Sequence, residues 1–378
     1  MTKGFTIRLY PTKEQEKLML KHIGCARFIW NYMLDVQETR FKNGEKHLSK
    51  FDMINLLKPL KNDGEHQWLY EVSNTTLQIS CSDLNESYSM FFKKISKAPK
   101  FKSRKRSKQN FPIRSNSLYF ENGAANIEKI GKVKYKTDFD LPLGKGNKFS
   151  NARIKCVLNK WYLSFGMECE SQAPELTDNK MGIDLGVKDL ATVAYGNEQY
   201  VFGNINKSKR VREIKKQIKR TQRSISRKYE ANKIGNRFVK TSNINRQEEK
   251  LRKLNARLSN IRKNYIHQTT AFLIKLLPRR VVMEDLNVIG MMKNRHLAKA
   301  IQEQNFYEFI RQMKYKCEWN GIEFLQADGF YPSSKTCSCC GFPKKDLKLR
   351  DRVFKCPNCG IEIDRDHNAA VNLQRYAG

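Results

Sequence analysis

The sequence predicts a multidomain α/β protein, and three observations carry that expectation. A length of 378 residues allows two or three modest domains with well-buried cores. Hydrophobic residues make up 39% and aromatics 11%, too many for a disordered chain. The patterning changes twice, from helices to short alternating strands near residue 116, and to strands alternating with helices from Met181 onward, which argues for an α/β unit over 181–378.

A first strand is predicted over residues 5–9. Thr12 followed by Gln15 reads as a capping box that opens a helix. Ala26, Ile29, Trp30 and Met33 fall at i, i+3, i+4 and i+7, one apolar stripe predicted to pack in a core. Helical character continues with interruptions to about residue 97. VKYK and ARIKCVLNKWYLSFGME, within residues 116–170, read as antiparallel strands. Gly144 and Gly146 are read as a hairpin turn, with a phosphate cradle as the alternative. MGIDLG, LATVAY and QYVFG are three further strand pieces. Across 207–263, Val211, Ile214 and Ile218, then Leu251, Leu254, Leu258 and Ile261, recur at spacings of three and four, predicting a helical hairpin with its loop near 232–244. A helix over 264–277, the strand VVMEDL, a helix over about 301–319, the strand IEFLQAD and a closing helix in DRDHNAAVNLQ complete the order.

Lys and Arg number 72 against 38 Asp and Glu, a net charge of +34. A field of that size favours a polyanion, most often nucleic acid, over a small neutral partner. No apolar run approaches the roughly 20 residues of a membrane span, and the first residues carry no apolar secretory core; an intracellular protein is expected. The charge is concentrated. Residues 207–263 hold 21 Lys or Arg against 4 Glu, and residues 93–114 hold 10 with no acid. Such single-sign segments supply salt-sensitive, sequence-independent affinity for phosphates. The candidate contacts are Lys100, Lys102, Arg104, Lys105 and Arg106 in the first segment, and Lys215, Lys216, Lys219 and Arg220 in the second. Phe101 and Phe111, with Pro99 and Pro112, could let rings pack against sugar or base faces.

Of ten cysteines, Cys25, Cys81, Cys156, Cys169 and Cys317 are scattered, and five crowd into 337–359. Clustering of that kind belongs to a metal site in a reducing compartment. Cys337 with Cys340, and Cys356 with Cys359, are two Cys-x-x-Cys pairs with fifteen residues between them, the spacing of a four-cysteine structural zinc ribbon. Gly341 and Gly360 follow each pair, where a tight turn needs a residue without Cβ. Cys339 is a competing ligand that the matching pattern disfavours.

Asp184 interrupts an apolar strand, Glu284 and Asp285 end another, and Asp364 and Asp366 open the last helix. Acids inside apolar strands are costly unless paired or metal-bound, and acids gathered from strand ends suit Mg²⁺ or Mn²⁺. Such ions activate water and stabilise a phosphodiester's leaving oxygen. Spacing leaves open Glu284 against Asp285 and Asp366 against Asp364; a helix cap at Asp366 is the bland alternative.

GIDLGVKDLATVAY, VVMEDLNVIGM, YPSSKTCSCCG, CPNCG and DRDHNAAVNL resemble, in order, the C-terminal half of the TnpB proteins of bacterial insertion sequences. TIRLYPTKEQ and KAPKFKSRKR extend the resemblance over nearly the whole chain. The family is similar to the type V CRISPR effector nucleases. The resemblance implies a RuvC-like RNase H fold with an inserted zinc ribbon, and a wedge-like N-terminal β-barrel with an inserted helical recognition module. It also implies Asp184, Glu284 rather than Asp285, and Asp366 as the acids that hold catalytic Mg²⁺ or Mn²⁺. The expected divisions are a first wedge strand (1–10), the recognition module (11–105), the rest of the wedge (106–178), the RuvC-like domain (179–330, with the basic hairpin 207–263), the ribbon (331–360) and a final RuvC segment (361–378). The activity implied is a metal-dependent DNA endonuclease, involved in transposition, whose partners are a guide RNA from the transposon end and double-stranded DNA with a short flanking motif. The implied setting is the bacterial cytoplasm, at the nucleoid. A non-catalytic nucleic-acid-binding regulator and a strand-transfer transposase are the alternatives. His267 and His367 are read as structural.

Overall fold

The computed structural model describes residues 2–169, 174–348 and 351–377. The chain forms two compact units, residues 1–170 and 171–378.

In the first unit, β1 (Thr2–Tyr10) leads into α1 (Lys13–Lys42). The capping box forms: the Gln15 N–H donates to Thr12 Oγ1 at 3.2 Å, and the Thr12 N–H donates to Gln15 Oε1 at 3.0 Å. Helices α2 (Lys50–Asn55), α3 (Leu57–Asn62) and α4 (Asn74–Phe92) follow. The α1 stripe serves two cores. Ile29, Trp30 and Met33 pack with Leu77, Cys81 and Leu84 of α4, whereas Ala26 faces the sheet core with Ile23 and Met19.

That sheet is antiparallel and seven-stranded. It comprises β2 (Asn110–Pro112), β3 (Tyr119–Glu121), β4 (Ala124–Ile127), β5 (Gly131–Lys136), β6 (Phe149–Val157) and β7 (Lys160–Glu168) with β1, in the order β2-β6-β7-β1-β5-β4-β3. It curls around one core shared by Phe111 of β2 and Phe120 of β3. Among the described residues these three-residue edge strands do not pair with each other, so the ladder is left open. The glycine loop closes part of the β3 edge, since the Gly144 N–H donates to the Phe120 carbonyl at 2.8 Å. That donor is therefore spent on the sheet and not offered to a phosphate. Phe111 is fully buried, which removes it from the rings expected to meet nucleic acid.

The second unit is built on a mixed sheet of β8 (Thr177–Leu185), β9 (Asp189–Tyr195), β10 (Glu198–Gly203), and two later strands. The basic hairpin pairs α5 (Lys209–Ala231) with α6 (Ser242–Lys275) through Val211, Ile214 and Leu258, and its loop holds a minimal ribbon of β11 (Lys233–Ile234) and β12 (Arg237–Phe238). The separate helix expected over 264–277 is instead the continuation of α6, because nothing in KNYIHQTTAFLIK breaks its apolar stripe. After β13 (Pro278–Glu284) and α7 (Val288–Met291), the helix expected over 301–319 is split into α8 (Ala298–Gln304) and α9 (Phe306–Trp319). Asn305 makes the break in the left-handed conformation, φ 59°. Then come β14 (Glu323–Ala327), β15 (Val353–Lys355), β16 (Glu362–Asp364) and α10 (Arg365–Arg375).

The sheet order is β10-β9-β8-β13-β14, with β8 antiparallel to β9 and parallel to β13, and β13 parallel to β14. Side chains alternate faces along each strand. Met181, Ile183, Val281 and Met283 pack in the core that includes residues of α6, α8 and α9. Gly182, Asp184, Val282 and Glu284 point to the other face, where α10 packs and Val282 meets Leu373. No helix among the described residues is long and apolar enough to cross a membrane.

Candidate metal centres

The parallel register pairs Ile183 with Met283, so Asp184 and Glu284 stand side by side one residue further on. Both face α10, whose first turn carries Asp366. Three segments separated by about 80 residues or more thus meet at one end of the sheet. Burial drives the Asp184 carboxyl well above the usual carboxylate range, and the negative fields of Glu284 and then Asp366 add to the rise. Glu284 is raised as well, first by burial and further by Asp366, while a hydrogen bond from Ser333 opposes the shift. Asp366 is held by Arg365, with Nη2 at 3.1 Å from Oδ1, and more loosely by Arg352 at 3.9 Å.

The alternatives at each position separate. Asp364 is the helix cap, its Oδ1 accepting the N–H of Asp366 at 2.9 Å and of His367 at 3.1 Å, which releases Asp366 from that role. Asp285 is exposed, and among the described residues its carboxylate accepts only from Gln326 at 3.2 Å. His367 is partly buried beside the acids, and its Nδ1 finds no hydrogen-bond partner among the described residues.

Why α10 lies so close is readable in Gly182. A Cβ there would fall 2.0 Å from the Ala370 carbonyl oxygen and 2.3 Å from the Gln374 nitrogen. The missing side chain lets helix backbone rest on strand backbone. Gly182 lies two residues before Asp184 and Ala370 one turn after Asp366, so this contact sets the separation of two of the acids. The sequence reading missed Gly182, and also Ser333, Asn368 and Asn372. A signal was present: two asparagines at i, i+4 among alanines are costly in a buried helix face unless they bind something.

The second centre is tighter. The sulfurs of Cys337, Cys340, Cys356 and Cys359 all lie within 4.8 Å of one another, the one such group of three or more candidate ligands among the described residues; the three acids are not gathered to that degree. Cys337 and Cys359 are 3.6 Å apart, and Cys340 and Cys356 3.5 Å. Thiolates at about 2.3 Å from zinc stand about 3.8 Å apart around a tetrahedron, whereas a disulfide needs about 2 Å. The knuckles repeat each other. Gly341 and Gly360, at φ 75° and 73°, return N–H groups to the Cys337 and Cys356 carbonyls at 2.9 and 3.0 Å. The Asn358 amide donates to the Cys340 sulfur at 3.5 Å and holds that thiol down to about 6. Cys339 is exposed and outside the group. The four thiols fit a tetrahedral ion such as zinc.

The basic candidates divide. Lys216, Lys219 and Arg220 are exposed on α5, and Lys219 lines a shallow groove with Arg223 and Arg227. Lys215 is turned to Glu303 at 2.6 Å and is committed to that pair. Lys100, Arg104, Lys105 and Arg106 are exposed. Lys102 is not: its ammonium sits 3.2 Å from the Trp30 ring centre, burial lowers it to about 8, and Asn31 bonds its N–H and carbonyl. It anchors the basic segment, with its ammonium directed at Trp30.

These features define a basic α/β protein with a strand-end carboxylate cluster and a separate thiol centre. The chain is similar to TnpB-like proteins and to proteins named as RNA-guided DNA endonucleases. Residues 164–295 match the family described as "Probable transposase" (OrfB of IS605), 306–373 the "Cas12f1-like, TNB domain", and 1–46 a "Helix-turn-helix domain". Over 1–46 this structure has a strand and one unbroken helix, not two helices about a turn. The chain is 28% identical to a "Putative RNA-guided DNA endonuclease" of Streptomyces pristinaespiralis, covering 98% of this chain and 88% of that protein. It is 29% identical to the "Putative RNA-guided DNA endonuclease InsQ" of Escherichia coli K12, covering 98% and 91%. A Cas12f1–sgRNA–target DNA complex aligns over 99% of both chains at 17% identity and a TM-score of 0.38.

Proposed function

We propose that the protein is an RNA-guided DNA endonuclease of an insertion sequence, with Asp184, Glu284 and Asp366 holding the divalent ions of a RuvC-like site. One observation carries the reading. Three acids from distant segments converge on one face of one sheet end, and two of them are driven up in pKa by burial and by their neighbours. Such a set is unfavourable without a cation, and its all-oxygen donors fit Mg²⁺ or Mn²⁺. The sheet order, an antiparallel β10-β9-β8 continued by parallel β13 and β14, is consistent with an RNase H fold.

In this reading Asp184 and Glu284 orient the ions from the sheet, and Asp366 completes the set from α10. Bound there, the ions would activate water and stabilise the leaving oxygen of a phosphodiester. The thiol centre holds structural zinc, since its four ligands leave no open position. The curled sheet of the first unit is the wedge, and α1 to α4 are the recognition module. The exposed basic residues of 100–106 and of α5 hold phosphates of guide RNA and target DNA, while base pairing supplies sequence and the protein reads a short flanking motif.

The test is to wash the purified protein in high salt, identify any RNA that stays bound, and supply the protein with RNA of altered guide sequence. Cleavage that follows the new guide onto matching DNA is expected. A protein that retains no RNA, or that cuts without regard to the guide, would refute the reading and leave the regulator or the transposase.

A further inference from the structure

The segment 333–338 touches both candidate metal centres. We infer that it is a strap by which the thiol centre positions Glu284, with Ser333 as the positioning residue; the inference rests on the nuclease reading above. The Ser333 hydroxyl donates to Glu284 Oε1, and Ser333 is only 2% exposed, so little water competes. Among the described residues Oε2 takes no hydrogen bond. One carboxylate oxygen is thereby fixed while the other stays open to a cation, the arrangement by which outer contacts orient a metal ligand.

Ser333 is itself held from α10. The Asn372 amide donates to the Ser333 carbonyl and to the Thr336 carbonyl, each at 2.7 Å, and the Asn368 amide donates to Thr336 at 2.7 Å. Asn368 Oδ1 accepts the Ser338 N–H at 2.8 Å. These bonds bracket Cys337, the first thiol of the ribbon. The strap therefore begins at a hydroxyl on one acid, ends at a metal-binding thiol, and is clamped by the helix that carries Asp366. A ribbon needing only its own stability would not require two buried amides, two and six residues after that acid, bonded to its main chain. What the clamp adds is a fixed distance between the ribbon, Glu284 and Asp366.

Loss of an outer contact to a metal ligand typically costs about 10–100-fold in metal affinity. The probe is Mn²⁺ alone, titrated into the full chain without DNA and read by its paramagnetic resonance, beside zinc content, melting temperature and the Mg²⁺ concentration for half-maximal cleavage. Ser333→Ala should weaken Mn²⁺ binding and raise the Mg²⁺ requirement about 10–100-fold, with zinc and melting unchanged. Ser333→Thr, which keeps the hydroxyl, should restore most of the loss, and Asn372→Ala should reproduce the defect more mildly. Should Ser333→Ala lower the melting temperature, Ser333→Cys is read in its place with the same expectation. Wild-type Mn²⁺ affinity in folded Ser333→Ala, or in Ser333→Cys where that variant is read instead, would overturn the strap. Mn²⁺ binding that ignores Asp184→Ala would overturn the nuclease reading beneath it, and the two failures are distinguishable.

Discussion

Gly182→Ala places one methyl group between β8 and α10, and the structure sets the size of the effect. The new Cβ would meet Ala370 O at 2.0 Å, Gln374 N at 2.3 Å and Gln374 Cα at 2.9 Å. All three are backbone atoms, so no flexible side chain can swing away. Ordinary contact begins at 3.4 Å, which requires α10 to retreat by about 1.4 Å. Asp366 rides on that helix one turn from Ala370 and would move by a similar distance from Asp184. A misplacement of about 1 Å at a reacting centre can cost about 10²-fold in rate, and overpacking costs about 1–3 kcal/mol in stability. The assay is single-turnover cleavage of guide-matched DNA in Mg²⁺, beside thermal melting and zinc content. A folded, zinc-loaded variant that cuts about 10²-fold more slowly is expected. Cleavage within threefold of wild type would refute the claim that this contact spaces the acids.

Other outcomes follow from the same geometry. The wild-type chain should carry one zinc, and Cys356→Ser should lose it and melt earlier, because ion binding at such a site is folding energy; metal analysis of folded protein decides this. Replacing Lys216, Lys219, Arg220 and Arg223 with Gln should weaken binding to all nucleic-acid sequences and flatten its salt dependence by up to about 0.9 log–log units per lost duplex contact. Lys215→Gln, which removes a partner of Glu303, should leave that slope nearly unchanged, and equal slopes for both variants would remove the distinction. Asp184 and Glu284 titrate above the usual carboxylate range when metal-free, so the native state binds more protons than the unfolded one in that window. Their contribution to stability is thus greatest below the unfolded carboxylate range and falls as pH rises through the folded values. Mg²⁺ needs the ionised forms and should raise the melting temperature more at about pH 8 than at about pH 5; equal shifts would contradict the assignment.

Much of this was legible in the sequence because it is written in local pattern. The Thr12 capping box, the strands around Asp184 and Glu284, the hairpin and the paired cysteines all depend on spacing along the chain, and all form. The break at Asn305 and the fusion of 264–277 into α6 turn on whether one residue interrupts a helix, which periodicity resolves poorly. Other features depend on atoms brought close by packing. Gly182 reads as an ordinary strand glycine until α10 lies on it. Lys102 and Lys215 read as free charges until Trp30 and Glu303 meet them, and Phe111 reads as available until the sheet closes over it. Spacing alone left Asp366 and Asp364 open and the resemblance named Asp366; the folded helix start then shows that Asp364 is the cap.

In the proposed function Asp184, Glu284 and Asp366 hold catalytic metal while binding rests on the basic surfaces and on base pairing. That division is tested most directly with Asp184→Ala, by following cleavage of guide-matched DNA in Mg²⁺ beside target binding in EDTA. Cleavage should be abolished and binding retained or slightly tightened, because one buried carboxylate no longer repels the scissile phosphate. A folded Asp184→Ala protein that cuts at the wild-type rate would contradict it.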